Sequence, residues 1–216
     1  MTDSSINSSD DIVPNGLFIE HNQVRHEVWE NIQHWLSSNM LPSSISNPTN
    51  LIDVPIPWET GSQMQGRSIA QFGNCRYDYI RDVAVYEGNS AHQIPTYIYQ
   101  TLLNGEKNSE QYTQCIINMY DADNEIPWHL DHELFGPEVL VYTFGEDRPL
   151  RLRKMNTEAD RHTTDTDDSY VYTQVYPKHC SKYILSGPSR HVWEHSVPSG
   201  KKERVSITFR SWIGPK

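Results

Sequence analysis

The spacing of apolar residues divides the chain into two regions near residue 113. In the first region, apolar residues recur near the helical period at Val24, Val28, Ile32, Trp35 and Leu36. This spacing predicts an amphipathic helix over 22–39 that covers the core with its apolar face. A second, shorter helix is predicted over 95–105, where Gly105 ends it.

The second region predicts strands. Short runs rich in β-branched and aromatic residues alternate there with turn residues, namely QCIINMY, EVLVYTFG, PLRLRKM, SYVYTQVY, SKYILSG and RVSITFRSW. Runs of this kind are typical of a β-sandwich or barrel. The predicted fold class is therefore mainly β with flanking helices (α+β).

The polar segments outline one domain. The chain has 216 residues, which suits a single domain with or without a tail. Residues 1–15 are mostly Ser, Asp and Asn and predict a disordered acidic and polar tail ahead of a domain over 16–216. The segment 41–66 is predicted as loop. The acidic segment 156–169 is predicted as a solvated hairpin loop, because it lacks the glycine of a calcium-binding loop.

The composition indicates the redox state of the cysteines and the cellular compartment in which we expect the protein. The cysteines, Cys75, Cys115 and Cys180, lie far apart without CxxC spacing, which predicts reduced thiols rather than disulfides or a cysteine zinc site. No apolar run approaches the roughly 18 residues of a membrane span. The N-terminus lacks the basic and apolar stretches of a signal peptide. We therefore expect a monomer in the cytoplasm or nucleus, without a membrane partner.

The net charge of −10 mildly disfavours a nucleic-acid partner, but it is unevenly distributed. Residues 177–216 carry eight Lys and Arg against two Glu, a net +6, so the rest of the chain carries −16. Local potential matters more than the sum for binding phosphates. A basic face on this acidic protein is therefore compatible with a nucleic-acid partner.

Ligand-type side chains are concentrated in IPWHLDHELFGP, residues 126–137. On a strand, His129 and Asp131 would point to the same face. A third ligand must come from elsewhere, and the candidate is His195 in SRHVWEHSV. Two histidines and one carboxylate leave three coordination positions open, which suits an Fe(II) enzyme that binds a co-substrate and O₂ together.

Zinc is the competing metal. Its usual helical signature, HExxH with a glutamate base, is absent from the chain. A His-X-Asp triplet alone is weak evidence, because such residues also occur hydrogen-bonded in a core. His132 falls on the face opposite His129 and Asp131 and is expected not to be a ligand.

The run RVSITFRSW, residues 204–212, alternates polar and apolar positions. The polar positions that share one face are Arg204, Ser206, Thr208 and Arg210. Because the apolar face must be buried, the polar face meets either water or a polar cavity. Guanidinium groups match carboxylates through paired hydrogen bonds, as a dicarboxylic co-substrate would require. The alternative is an exposed edge strand with two solvated arginines.

Together these motifs resemble the AlkB-type branch of the Fe(II)/2-oxoglutarate dioxygenases. The residues that carry the resemblance are His129, Asp131, His195, Arg204 and Arg210. The segments NMY, GPEVLVYTFG and SGPSRHVWEHSV are similar to neighbouring family segments, and RSIAQFGNCRYDY looks like part of the family's nucleotide-recognition lid. The resemblance covers roughly residues 60–212. The chain departs from the family where KHCSKYILSGPSR replaces a frequent Gly-Asp, and where Ser206 stands in place of asparagine.

The resemblance implies a double-stranded β-helix, or jelly roll, with N-terminal helices. The lid would span about 56–98 and the jelly-roll core about 113–214. The implied Fe(II) ligands are His129, Asp131 and His195. The residues implied to bind 2-oxoglutarate are Asn118, Tyr120, Arg204, Ser206 and Arg210, with Arg204 on the distal carboxylate.

The implied substrate is an N-alkylated nucleobase in DNA or RNA, such as 1-methyladenine or 3-methylcytosine, flipped into the pocket or taken from a single strand. Hydroxylation of the N-methyl group would release formaldehyde. The expected substrate-binding residues are Trp58, Arg67, Phe72, Arg76, Tyr77, Tyr79 and Glu133. The aromatic rings could stack on a base, the arginines could contact phosphates, and the glutamate could accept a hydrogen bond from an exocyclic amine.

Two other functions fit the same sequence. Some relatives in this superfamily oxidise protein side chains, and the acidic balance suits a protein substrate. That function predicts activity on a peptide and indifference to methylated oligonucleotides. The other possibility is a catalytically silent jelly-roll binding module, but the complete set of ligands and arginines counts against it.

Overall fold

The structure is a computed structural model that describes residues 13–38, 56–59, 66–88, 93–157 and 169–216. Most of the predicted tail, the predicted loop after the first helix and the acidic hairpin loop lie outside these ranges. Among the described residues, no helix is both long and apolar enough to cross a membrane.

The predicted N-terminal helix is present as α1, His26–Ser38. Its buried residues, Trp29, Ile32 and Leu36, lie three or four positions apart, so they form one stripe that packs on the larger sheet. Trp29 stacks face to face on Phe144 of that sheet, with 4.7 Å between the ring centroids.

The other helices are short. The second predicted helix begins as α2, Thr96–Ile98, and continues as a π-helical turn over Tyr99–Leu103. A 3₁₀ turn follows at Ser109–Gln111. The last helix, α3 at Gly187–His191, begins with a capping box in which Ser186 and Ser189 each bond to the other's backbone.

The strands form three antiparallel sheets. Their bounds are β1 Leu17–Glu20, β2 Trp58–Glu59, β3 Ser68–Gly73, β4 Cys75–Asp78, β5 Val83–Tyr86, β6 Gln114–Tyr120, β7 Ile126–His129, β8 Phe135–Gly145, β9 Leu150–Met155, β10 Tyr170–Val175, β11 Ser181–Ser186, β12 Glu194–Val197 and β13 Arg204–Trp212. The order β1-β11-β8-β13-β6-β3-β2 makes a seven-stranded sheet, β10-β9-β12-β7 a four-stranded sheet, and β4-β5 a hairpin. The prediction of a mainly β jelly roll with flanking helices is confirmed.

Alternation along β8 shows how the two larger sheets are buried. Val139 and Val141 join Leu150 and Leu152 of the four-stranded sheet in one apolar cluster between the sheets. The intervening residues of β8 join the helices in a second cluster on the opposite face. The larger sheet is therefore buried on both faces, and the space between the sheets can hold a site.

The run RVSITFRSW occupies the centre of the larger sheet. β13 pairs with β6 on one side and with β8 on the other. Arg204 and Arg210 are only 3% and 6% exposed. The alternative of an exposed edge strand with solvated arginines is therefore wrong.

Candidate active site

A cavity of about 740 Å³ lies between the two larger sheets. Strands of both sheets line it, and the β4–β5 hairpin contributes side chains at one side. The predicted site residues that line it are Arg67, Tyr77, Tyr79, Asn118, Tyr120, His129, Asp131, Glu133, His195, Ser206 and Arg210. Most of the predicted site residues thus converge on one cavity, although they come from five strands and three loops.

The two histidines meet because their strands pair. His129, the last residue of β7, is the direct register partner of His195 on β12. Their ring centroids lie 4.2 Å apart. Pairing across an antiparallel ladder therefore joins two residues that are 66 positions apart in the sequence.

The carboxylate reaches the site in a different way from the one expected. β7 ends at His129, so Asp131 does not share a strand face with it; it lies in the turn before β8. Arg190, which is 1% exposed, holds this turn by donating hydrogen bonds to the backbone carbonyls of Asp131, His132 and Phe135. The Oδ2 atom of Asp131 lies 3.7 Å from Nε2 of His195.

Protonation of the three side chains matches what a metal needs. Burial lowers the pKa of His129, and it lowers the pKa of His195 to about 3. Burial opposes ionisation of Asp131, but Arg210 and the two histidines hold the pKa of this carboxyl well below its usual range. At neutral pH the site therefore presents two neutral imidazoles and one carboxylate, the forms that bind a divalent cation.

Hydrogen bonding also fits a metal at this position. Nδ1 of His129 lies 2.9 Å from the carbonyl oxygen of Pro127, which can only accept, so Nδ1 carries the proton and Nε2 offers its lone pair. Asp131 Oδ2 and His195 Nδ1 are buried without a hydrogen-bond partner among the described residues. Buried polar atoms rarely stay unpaired, so a ligand at this point would satisfy the side chains. The donor set fits Fe(II).

A second group of ligand-type atoms, in His26, His179 and Cys180, does not fit a metal. Nε2 of His179 lies 3.3 Å from Nδ1 of His26 and 3.1 Å from the sulfur of Cys180. However, the backbone N–H of Gly145 donates to Nδ1 of His179 at 2.9 Å. The neutral ring therefore carries its proton on Nε2, and this atom has no lone pair to offer.

Arg210 marks the end of the cavity next to the carboxylate. Its Nη1 donates to Oδ1 of Asp131 at 2.6 Å, and its Nε donates to Oε1 of Gln114 at 2.9 Å. Phe135 packs 3.9 Å from the guanidinium carbon. Arg210 is therefore held in place by partners on three elements before any ligand binds.

Arg204 lies at the other end of β13, about 20 Å from Arg210 along the strand by the rise per residue. It does not line the cavity but lies directly behind Tyr120, with its guanidinium carbon 4.9 Å from that ring centroid. Its Nη1 is buried without a hydrogen-bond partner among the described residues. The hydroxyls of Tyr120 and Ser206 lie 3.3 Å apart nearby. Tyr120 and Ser206 line the cavity, and together with the neighbouring Arg204 they offer hydrogen-bond donors to an anion there.

The hairpin side of the cavity is aromatic and polar. The rings of Tyr77 and Tyr79 meet edge to face, with centroids 5.0 Å apart. Tyr77 also donates a short hydrogen bond to Asp82, which lines the cavity too. Arg67 is buried, donates to the carbonyl of Glu125 and is held in the cavity wall rather than exposed toward phosphates.

Three expected substrate-binding residues are not brought to the cavity. Phe72 is buried in the core cluster under the helices, and Trp58 packs against the same cluster. Arg76 pairs with Glu87 at 2.6 Å across the β4–β5 hairpin. Phe72 is buried in the core because its strand, β3, pairs with β6 in the seven-stranded sheet instead of standing apart in a lid.

Sequence reasoning assigned no role to two residues that organise the site. In the sequence, Arg190 stands in the segment before His195, and Gln114 begins a predicted strand. Both are buried polar side chains that hold other site residues. A lone arginine or glutamine has no spacing signal, so this role is visible only from the contacts.

Comparison with known proteins agrees with this geometry. Similarity to the 2OG-Fe(II) oxygenase superfamily extends over residues 30–210. In Arabidopsis thaliana, the chain is 26% identical over 118 residues to the DNA oxidative demethylase ALKBH2, and 27% identical over 170 residues to the RNA demethylase ALKBH9B. These matches cover 46% and 72% of this chain but 38% and 31% of the relatives, so the chain spans about a third of their length.

The solved structure of OsALKBH1 has the same fold. It superposes with a TM-score of 0.56 at 13% identity, covering 93% of this chain and 98% of that chain. The AlkB-type resemblance and the expected dependence on Fe(II), 2-oxoglutarate and O₂ are confirmed at the level of the family. Because the family similarity extends over most of the chain, this protein belongs to the 2OG-Fe(II) oxygenase superfamily.

Proposed function

We propose that this chain is an oxidative demethylase of N-alkylated nucleobases in DNA or RNA, of the 1-methyladenine or 3-methylcytosine type. The observation that carries the proposal is one cavity lined by a two-histidine, one-carboxylate group, by Arg210 and by the aromatic hairpin, with the buried Arg204 packed on its lining residue Tyr120. The two Arabidopsis relatives named above as demethylases of DNA and RNA support the same chemistry.

In this proposal His129, Asp131 and His195 hold Fe(II). The bound iron and 2-oxoglutarate supply the oxidation of a methyl C–H bond by O₂. This chemistry would place one oxygen atom of O₂ in the methyl group and the other in succinate, with CO₂ released from 2-oxoglutarate. The hydroxymethyl group then breaks its C–N bond, which releases formaldehyde and leaves the proton on the base nitrogen.

The two arginines have separate tasks in this assignment. Arg210 is paired with Asp131 and therefore lies beside the iron end of the cavity. Arg204 is remote from it and has an unpaired buried Nη1, so it takes the distal carboxylate of 2-oxoglutarate. Tyr120, Ser206 and Asn118 supply further polar contacts around the co-substrate.

The nucleobase is proposed to enter beside the hairpin. Tyr77 and Tyr79 offer ring faces for stacking, and Glu133 lines the cavity two residues after Asp131. A carboxylate at that position can accept a hydrogen bond from an exocyclic amine, which both 1-methyladenine and 3-methylcytosine carry. Arg67 is assigned to the wall of the cavity, since it already donates to the Glu125 carbonyl.

The test uses DNA and RNA oligonucleotides that carry one 1-methyladenine or 3-methylcytosine, together with methylated peptides. With Fe(II), 2-oxoglutarate and ascorbate, we expect loss of one methyl group from an oligonucleotide by mass spectrometry, with matching succinate and formaldehyde. Asp131→Ala should abolish this turnover, whereas Asp147→Ala, at a carboxylate that is 40% exposed, should retain it. Oxidation of a peptide with every oligonucleotide unchanged would replace the proposal with a protein substrate.

A further inference from the structure

The outer face of the four-stranded sheet carries a cluster of aromatic rings around an arginine. On β9 and β10, Leu152 and Thr173 point into the protein and are buried, so their neighbours Arg153 and Tyr172 point outward. Arg153 and Tyr172 are direct register partners. They belong to an aromatic patch whose members are Trp128, Arg153, Tyr170 and Tyr172.

The rings of the aromatic patch are ordered by stacking on the guanidinium. The carbon of the Arg153 guanidinium lies 4.6 Å from the ring centroids of both Trp128 and Tyr170. Tyr172 lies 6.1 Å from Trp128 and 6.1 Å from Tyr170, measured between ring centroids. Glu194 fixes the arginine from the next strand, at 2.6 Å. The patch is therefore preorganised rather than a chance group of loose side chains.

Part of the patch is open to solvent. Tyr172, on the edge strand β10, is 57% exposed. Arg151, on the same face of β9, is also exposed and has no ion pair among the described residues. Among the described residues of β9 and β12 on this face, the cations Arg151 and Arg153 outnumber the carboxylate of Glu194. A partly exposed aromatic surface beside arginine side chains suits a ligand with π faces and negative charge.

The aromatic patch is continuous with the cavity. Trp128 contacts Arg153 and Tyr172 on the outside, and it also lines the cavity directly before His129. The tryptophan therefore forms the rim between the two surfaces. A chain that leaves the cavity past this rim would reach Tyr172 next.

We propose that the aromatic patch is a stacking platform for the single-stranded nucleic acid that flanks the base in the cavity. Bases stack on aromatic rings whatever their sequence, while exposed arginine neutralises the backbone. A folded protein partner would not need contact with the cavity rim. The inference rests on the proposed function, because it takes the cavity to hold a nucleobase.

The experiment compares two substrates that carry the same 1-methyladenine, a trinucleotide and a 12-nucleotide single strand. For Tyr172→Ala we expect the KM of the long strand to rise at least about fivefold, the lower end of the effect of losing one base-stacking ring. The KM of the trinucleotide should stay unchanged. Tyr172→Phe keeps the ring and should behave as the wild type, and Arg151→Glu should add a salt-dependent loss.

The matched control is Phe18→Ala, since Phe18 is equally exposed, at 58%, but lies on β1 of the other sheet. Binding of a fluorescein-labelled oligothymidylate, measured by anisotropy, gives a second readout that needs no turnover. If both substrates are demethylated and Tyr172→Ala changes neither the KM nor the anisotropy, the proposed stacking role of the aromatic patch is wrong while the proposed function stands. If the wild type demethylates neither substrate and binds no oligothymidylate, both are wrong.

Discussion

Replacing Asp131 by asparagine tests the electrostatic description of the site before any metal is added. Asparagine keeps the size of the side chain but removes the charge that pairs with Arg210 at 2.6 Å. The side chains of this pair are only 7% and 8% exposed, so the arginine would be left buried without its counter-charge. Breaking a buried pair in this way costs about 3–5 kcal/mol.

The chain contains a natural control for this substitution. Arg153 and Glu194 are also joined at 2.6 Å, but their side chains are 22% and 31% exposed. An ion pair near the surface contributes about 0–1 kcal/mol. Glu194→Gln should therefore lower the free energy of unfolding far less than Asp131→Asn, although the two pairs have the same separation.

The assay is urea unfolding at pH 7 with a chelator present, so that no metal contributes. Repeating it with Fe(II) under anaerobic conditions adds a second readout. Metal at 100 times its Kd should stabilise the wild type by about 2.7 kcal/mol and Asp131→Asn by much less. Equal destabilisation by the two variants would refute the description of Asp131 as a buried, paired carboxylate. Undiminished stabilisation by Fe(II) would refute its role as a ligand.

Four further outcomes follow from single features of the structure. Arg204→Gln should raise the KM for 2-oxoglutarate at least about tenfold, from the loss of a charge-assisted pair worth about 1.5–3 kcal/mol, and an unchanged KM would place the distal carboxylate elsewhere. Arg190→Met leaves three backbone carbonyls without their donor, so it should lower the free energy of unfolding by at least about 2 kcal/mol and also lower the affinity for Fe(II). A variant that retains both the stability and the affinity would refute the role of this arginine. The metal-free protein should lose stability as the pH falls below about 6.5, because the pKa of His195 is lowered to about 3 and the unfolded chain takes up the proton first; His195→Gln should flatten this slope in urea titrations between pH 7 and 4. The three cysteine thiols are buried with raised pKa values, so a thiol reagent at pH 8 should modify them only as fast as the protein opens, and rapid labelling of the native protein would contradict their burial.

Local pattern predicted the parts of the fold that local forces decide. The helical spacing of apolar residues over 22–39 predicts α1, and the six later β-rich runs predict strands that the structure contains. Local pattern succeeds for these elements because each of them has one face that must be buried. The sequence pattern does not predict β1 and β12, because a strand of four residues has too few positions to show a period. The sequence places β3 in the predicted lid. Its position in the larger sheet depends on pairing with β6, which is remote in the sequence, so no local pattern reveals it.

The amino-acid sequence by itself determined the chemical inventory of the site: one carboxylate flanked by histidines, a distant third ligand candidate and two arginines on one face of a strand. Only the tertiary structure decided how these groups meet. Asp131 lies beyond the end of its strand, and it reaches the site because Arg190 and Arg210 bind its backbone and side chain. The physical reason is that periodicity describes one element at a time, whereas hydrogen bonds to a buried guanidinium join elements that no local pattern connects.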